Sequence, residues 1–210
     1  MPSLETMFMV ALAGLALSAS PGPSMLYVLS RSVGQDRSAG LASAAGLAVG
    51  GVMHAIAAAI GLSALLSYSP TIYRLLTLAG AIYLIYLGVQ MYRSRHEGMG
   101  ETCTVRQQPL WSIFRQGVLV EVLNPKTALF FVAFLPQFVH HDGGAAHTVM
   151  LQVFILGMLI PLTAVPSDLI VAYTGGTLAR RISSNPQARS LLNCLGAAFL
   201  VFLGLRIFLG

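Results

Sequence analysis

Four ionisable residues, His54, Glu121, Lys126 and Asp168, lie within stretches of sequence that otherwise hold almost only apolar and small residues. A charged side chain at mid-depth of a bilayer costs at least about 2.5–3.5 kcal/mol, so such groups face a protein interior and act there. Two proline-bearing interruptions accompany them. Ser20-Pro21-Gly22-Pro23, followed by Ser24, falls in the first apolar stretch, and Asn124-Pro125, followed directly by Lys126, falls in the fourth. Proline inside a helix removes an N–H and crowds the carbonyl four residues back, at about 3 kcal/mol or more. Freed backbone groups are tolerated in hydrocarbon only where they pack in protein or line a wet cavity. Half-helix N-termini attract anions and free carbonyls attract cations, so two helices broken near mid-depth suit a central solute site. The bland alternative is a pair of structural kinks, because proline is frequent in membrane helices.

Each polar residue carries two readings. Lys126 can hold a substrate carboxylate or gate its access, or it can pair with Glu121 or Asp168 as a structural bridge. Asp168 follows Pro161 and Pro166 and is the best candidate to bind an ammonium group or a proton; otherwise it caps or anchors a loop. Glu121 shares that role or belongs to an interfacial turn with Arg115. By helical rise both carboxylates lie about 10 Å to the cytoplasmic side of mid-depth. His54 continues a small-residue face, Ala42, Gly46, Gly50 and Ala58, that lets helices approach closely. Its imidazole can relay protons or simply pack, and the Gly46/Gly50 face can pair two copies in a homodimer or pack internally. His140, His141 and Asp142 resemble a weak metal site but lack further ligands nearby, so a solvated loop is expected and no metal or cofactor is assigned.

The elements that must position these groups follow from composition. Among 210 residues, 56% are hydrophobic and 9% charged, with mean hydropathy +0.76, against about 25% charged in an average soluble domain. The chain reads as an all-α integral membrane protein. Six helices are expected near 6–31, 40–66, 71–92, 115–139, 147–175 and 190–209, most approaching the roughly 20 residues that cross about 30 Å of hydrocarbon. Residues 1–6 contain Glu5 and no Lys or Arg, so the first stretch lacks the basic region of a signal peptide. Nine of the 12 Lys and Arg residues, Arg31, Arg37, Arg93, Arg95, Arg106, Arg115, Arg180, Arg181 and Arg189, fall in three alternate loops, which places those loops in the cytoplasm and both termini outside. The net charge of +5 therefore reads as topology, and no nucleic acid partner is expected. Cys103 and Cys194 suggest neither a disulfide framework nor a metal cage.

The third and sixth helices repeat. LLTLAGAIYLIYLGVQMY (75–92) over LLNCLGAAFLVFLGLRIF (191–208) gives identities at Leu75/Leu191, Leu76/Leu192, Gly80/Gly196, Ala81/Ala197, Leu84/Leu200, Leu87/Leu203 and Gly88/Gly204. Aromatics align at Tyr83/Phe199, Tyr86/Phe202 and Tyr92/Phe208, and the first helix of each half is proline-broken. Chance similarity of Leu- and Ala-rich helices is the competing account. Because three spans are an odd number, a second copy enters from the opposite side, which makes an inverted repeat. The expected organisation is one transporter domain over 1–210, with repeat one at 1–92, a cytoplasmic linker at 93–114 and repeat two at 115–210, the first and fourth helices broken.

Ser20-Pro21-Gly22-Pro23, Leu123-Asn124-Pro125-Lys126-Thr127-Ala128-Leu129-Phe130-Phe131 and Phe134-Leu135-Pro136-Gln137-Phe138 resemble the LysE/RhtB family of bacterial inner-membrane amino-acid exporters, over the whole chain. The resemblance implies export of amino acids or their derivatives, with protons as the coupling partner, and Pro21, Gly22, Pro23, Asn124, Pro125 and Lys126 match the family's motif. Glu121 departs from it, standing where an uncharged polar residue is more usual, which leaves the preferred substrate charge open. A passive channel is the rival from another class, and export of another small cation or metabolite is a closer one. Two carboxylates with a lysine among them make a poor cage for a hard metal cation. An enzyme is not expected, since neither a GxSxG elbow nor an HExxH helix is present.

Overall fold

The computed structural model describes residues 2–19, 22–93, 106–139, 146–174 and 186–209. Within them the chain forms eight α-helices: α1 Leu4–Ala19, α2 Pro23–Gly34, α3 Arg37–Tyr68, α4 Pro70–Arg93, α5 Leu110–Val122, α6 Pro125–Phe134, α7 Ala146–Thr174 and α8 Pro186–Leu209, with a 3-10 turn over Leu135–Phe138 after α6. No strand occurs among the described residues. Local chemistry sets the boundaries. Ser3 caps α1 by accepting from Thr6 N at 3.1 Å, Asp36 caps α3 by accepting from Ala39 N at 2.8 Å, and α2, α4, α6 and α8 each begin on a proline, which has no N–H to leave unpaired there.

α3 and α7 contain windows long and apolar enough to cross a membrane, Arg37–Ala64 and His147–Thr174. The pairs α1–α2 and α5–α6 pass the same test when joined, and their axes bend by 56° and 47° at the two proline breaks. α4 and α8, at 24 residues each, are about 36 Å long at 1.5 Å per residue. The expected 93–114 linker is shorter at its far end, because α5 starts at Leu110. Its first turns, Leu110-Trp111-Ser112-Ile113-Phe114, are apolar enough to bury Ile113 fully.

α3 is the central rod, packing along α7 and α5, while α4 packs on α8 and α6. Glycines allow the close approaches. A Cβ on Gly117 of α5 would lie 2.9 Å from the Ser43 carbonyl and 3.2 Å from Gly46 Cα, and one on Gly50 would meet the Glu121 side chain. Of the two readings of the Gly46/Gly50 face, internal packing against α5 is the one observed.

Two apolar cores result. The larger joins α1, α3, α4, α6, α7 and α8 around Phe130, Phe131, Phe134 and Phe138, and the smaller joins α2, α3 and α7 around Val28, Leu29, Leu47 and Val171. Many large side chains on the perimeter, such as Ile60, Ile82, Leu195 and Phe202, remain exposed, as suits lipid contact.

Candidate functional site

Each proline break orphans a particular carbonyl. Pro125 has no N–H for the carbonyl of Glu121, four residues back, and Pro21 has none for that of Leu17. Each of these carbonyls accepts from a side chain elsewhere in the fold. His54 Nε2 of α3 lies 2.9 Å from Glu121 O; because a carbonyl only accepts, the imidazole proton is on Nε2 in this arrangement. Lys126 Nζ of α6 donates to Leu17 O at 3.1 Å, placing a cation at the negative end of α1. Asn124 N adds a turn bond to Glu121 O at 3.0 Å.

The two half-helix N-termini behind the breaks differ. Asn124 caps α6, its Oδ1 accepting from Lys126 N at 3.1 Å. Gly22, at the corresponding position of α2, is extended (φ −160°, ψ 179°) and offers no side-chain cap. Among the described residues no side chain caps the first-turn N–H groups of Ser24 and Met25, which suits the α2 end to receive an anion. Side chains connect the two breaks: Asn124 Nδ2 donates to Ser24 Oγ at 2.9 Å, and Ser24 Oγ donates to Glu121 Oε2. Glu121 and Asn124 are almost fully buried.

These groups meet at a cavity of about 70 Å3 between the two apolar cores. A single water needs about 10–15 Å3, so the space admits several, or a small solute. Gly22, Ser24, Glu121, Asn124, Lys126 and Asp168 share its wall, and Glu121 is close enough for its charge to act on both Lys126 and Asp168. Leu17, Leu47, Phe131, Ile160 and Val165 supply the apolar part.

Of the residues expected from sequence, six thus come together. Pro23 and Pro125 start their helices and act through the backbone, outside the wall. His54 stands behind Glu121, its ring tilted against Phe131 at 5.6 Å, and also does not line the cavity. Ser20 and Pro21 lie outside the described residues, as do Cys103, His140, His141 and Asp142. No cluster of three metal-binding side chains occurs among the described residues. Sequence reasoning missed Ser18, Met25, Gly51, Thr127, Pro161 and Ala164 of the wall. Thr127 follows the lysine of the break and could have been found; Gly51 meets Pro161 only through the α3–α7 crossing, which no local signal announces.

The chain is 31% identical over 198 residues to a homoserine/homoserine lactone efflux protein of Salmonella typhimurium, covering 94% of this chain and 91% of that protein. It is 33% identical over 128 residues to a leucine efflux protein of Salmonella choleraesuis, covering 61% of this chain and 59% of that one. No solved structure matches. The sequence model of the LysE type translocators matches residues 15–209, and the chain therefore belongs to the LysE type translocator family and is a transporter, not an enzyme.

Proposed function

We propose that this chain exports small amino acids or close derivatives across the bacterial inner membrane in exchange for protons. The observation that carries the reading is the cavity where a helix N-terminus whose N-cap is a glycine, two carboxylates and a lysine meet between two broken helices. A substrate carboxylate fits the N–H groups of Ser24 and Met25 at the start of α2. Its ammonium fits between Glu121 and Asp168, and its side chain lies on Phe131, Ile160 and Val165. Lys126 offsets the charge of Glu121 and secures the end of α1. Exchange follows because a carboxylate holds either the ammonium or a proton, never both. One charge moving through 100 mV supplies about 2.3 kcal/mol, enough for a gradient of roughly 40-fold.

Six spans in two inverted triplets, α1–α4 and α5–α8, give the cavity its alternating exits. Several observations support the repeat. At the α4–α8 crossing a Cβ on Gly88 would lie 2.8 Å from Ala197 O, and one on Gly204 would lie 2.8 Å from Ala81 O, so each contact is the other's mate under the sequence alignment. The aligned pairs share burial as well: Ala81/Ala197, Leu84/Leu200 and Leu87/Leu203 are all buried, while Tyr86 and Phe202 are 56% and 58% exposed. Gly14 of α1 against Thr163 of α7 mirrors Gly117 of α5 against Gly46 of α3.

Proteoliposomes loaded with labelled homoserine or leucine test the proposal. An imposed proton gradient should accelerate efflux, a proton ionophore should abolish that acceleration, and Asp168→Asn or Glu121→Gln should remove it while the protein still inserts. Efflux indifferent to the ionophore and to both substitutions would favour a passive channel.

A further inference from the structure

On the outer side of α5, away from the cavity, a second and much larger depression of about 730 Å3 runs between α5 and α3. Its wall changes character along the helix. Trp111, Ser112, Arg115 and Gln116 form one end, and Val118, Leu119 and Val122 of α5 with Met53 of α3 form the other. Trp111 and Arg115, four residues apart, share a face, whereas Ile113, Gly117 and Glu121 on the opposite face are buried. From Trp111 to Val122 is about 16 Å at 1.5 Å per residue, roughly half of a 30 Å hydrocarbon core. The groove thus has about the length of one leaflet and stops where the helix breaks.

Its polar end is held ready. Gln108 Oε1 accepts from Gln116 Nε2 at 2.8 Å and from Ser112 Oγ at 3.3 Å, which fixes both side chains. The Trp111 ring stacks on Phe114 at 5.2 Å and remains 66% exposed, as indoles do at the headgroup level. Arg115 is exposed and makes no hydrogen bond or ion pair among the described residues.

We propose that this groove binds one anionic phospholipid, its phosphate on Arg115 with Ser112 and Gln116 beside it, and an acyl chain along Met53, Val118, Leu119 and Val122. Charge complementarity selects the occupant: a cation at headgroup depth above an apolar trough matches an acidic phosphate carrying a hydrocarbon tail. A guanidinium receives phosphate through a two-pronged contact that lysine cannot copy.

The test uses purified full-length protein in phosphatidylcholine nanodiscs, titrated with phosphatidylglycerol of the same acyl chains. Native mass spectrometry should show one phosphatidylglycerol retained per protein, and the thermal midpoint should rise. Arg115→Gln should weaken retention by about tenfold, while Arg206→Gln, an exposed arginine far from the groove, should not change it. Equal retention in Arg115→Gln and parent protein would overturn the proposal. So would the same rise in midpoint with inorganic phosphate alone, which would mean a free-anion site. A dimer in pure phosphatidylcholine that Trp111→Ala converts to monomer would overturn it too, since the groove would then be occupied by a second copy.

Discussion

At the scale of single residues, the breaks are held by substitutes for a missing N–H. His54 serves the carbonyl that Pro125 strands and Lys126 the one that Pro21 strands. Glu121 O keeps its bond from Asn124 N, so removing the imidazole costs one hydrogen bond, about 0.5–1.5 kcal/mol. His54→Leu should therefore lower unfolding stability in detergent by about that amount, and His54→Gln, which keeps a donor at similar reach, should recover most of it. If both variants unfold like the parent, the imidazole only packs against Phe131. By the same reasoning Lys126→Met should loosen the tie between α6 and α1, seen as faster amide exchange at the end of α1. The sequence made the stranded carbonyls countable, since a proline names its victim four residues back. It could not name the rescuers, because His54 is 67 residues from Glu121 and Lys126 is 109 from Leu17, and only tertiary packing brings them together.

At the scale of elements, α2 and α5 are sealed to each other beyond the cavity by a polar network that crosses the end of the linker. Arg31, 6% exposed, donates to Arg106 O at 3.2 Å, Gln116 Oε1 at 2.9 Å and Gln108 Oε1 at 3.3 Å. Gln35 and Gln108 exchange bonds, Gln35 Nε2 to Gln108 O at 2.8 Å and Gln108 N to Gln35 Oε1 at 3.0 Å. Tyr27 OH donates to Ile113 O at 2.8 Å. A buried guanidinium served only by neutral acceptors loses several bonds at once when shortened, so Arg31→Gln should destabilise by about 1–3 kcal/mol. Proteolysis within 106–109 should quicken in the same variant. Combined with Gln108→Ala, the loss should fall short of the sum, because both substitutions break one network; strict additivity would mean the contacts act independently. The basic bias of the sequence places Arg31 in a loop, whereas it sits in the last turn of α2. Burial arises instead because Gln108 and Gln116, unremarkable in the sequence, fold over it.

At the scale of the whole molecule, the repeat makes a quantitative demand. Gly88 and Gly204 occupy equivalent places in α4 and α8, and a methyl on either would strike both a backbone carbonyl and a branched side chain, Val201 in one case and Ile85 in the other. Forcing such contacts costs typically about 1–3 kcal/mol. Gly88→Ala and Gly204→Ala should therefore destabilise by similar amounts. Gly61→Ala, where a methyl meets nothing within 4 Å, should be neutral or gain up to about 1 kcal/mol from better helix propensity. The identities visible in the sequence at Ala81, Leu84, Leu87 and Gly88 are all buried and Gly80 packs on Ala133 of α6, whereas Leu75 and Leu191 match at 61% and 60% exposure. The alignment could not say which matches mattered until the crossing showed it. In the proposed inverted repeat, a crossing that maps onto itself lies on the axis between the halves, and in the proposed exchange cycle it would persist while they rock. Comparable unfolding losses at Gly88 and Gly204 would support that shared axis; a harmless Gly88→Ala beside a crippling Gly204→Ala would leave α4 and α8 as two unrelated helices in contact.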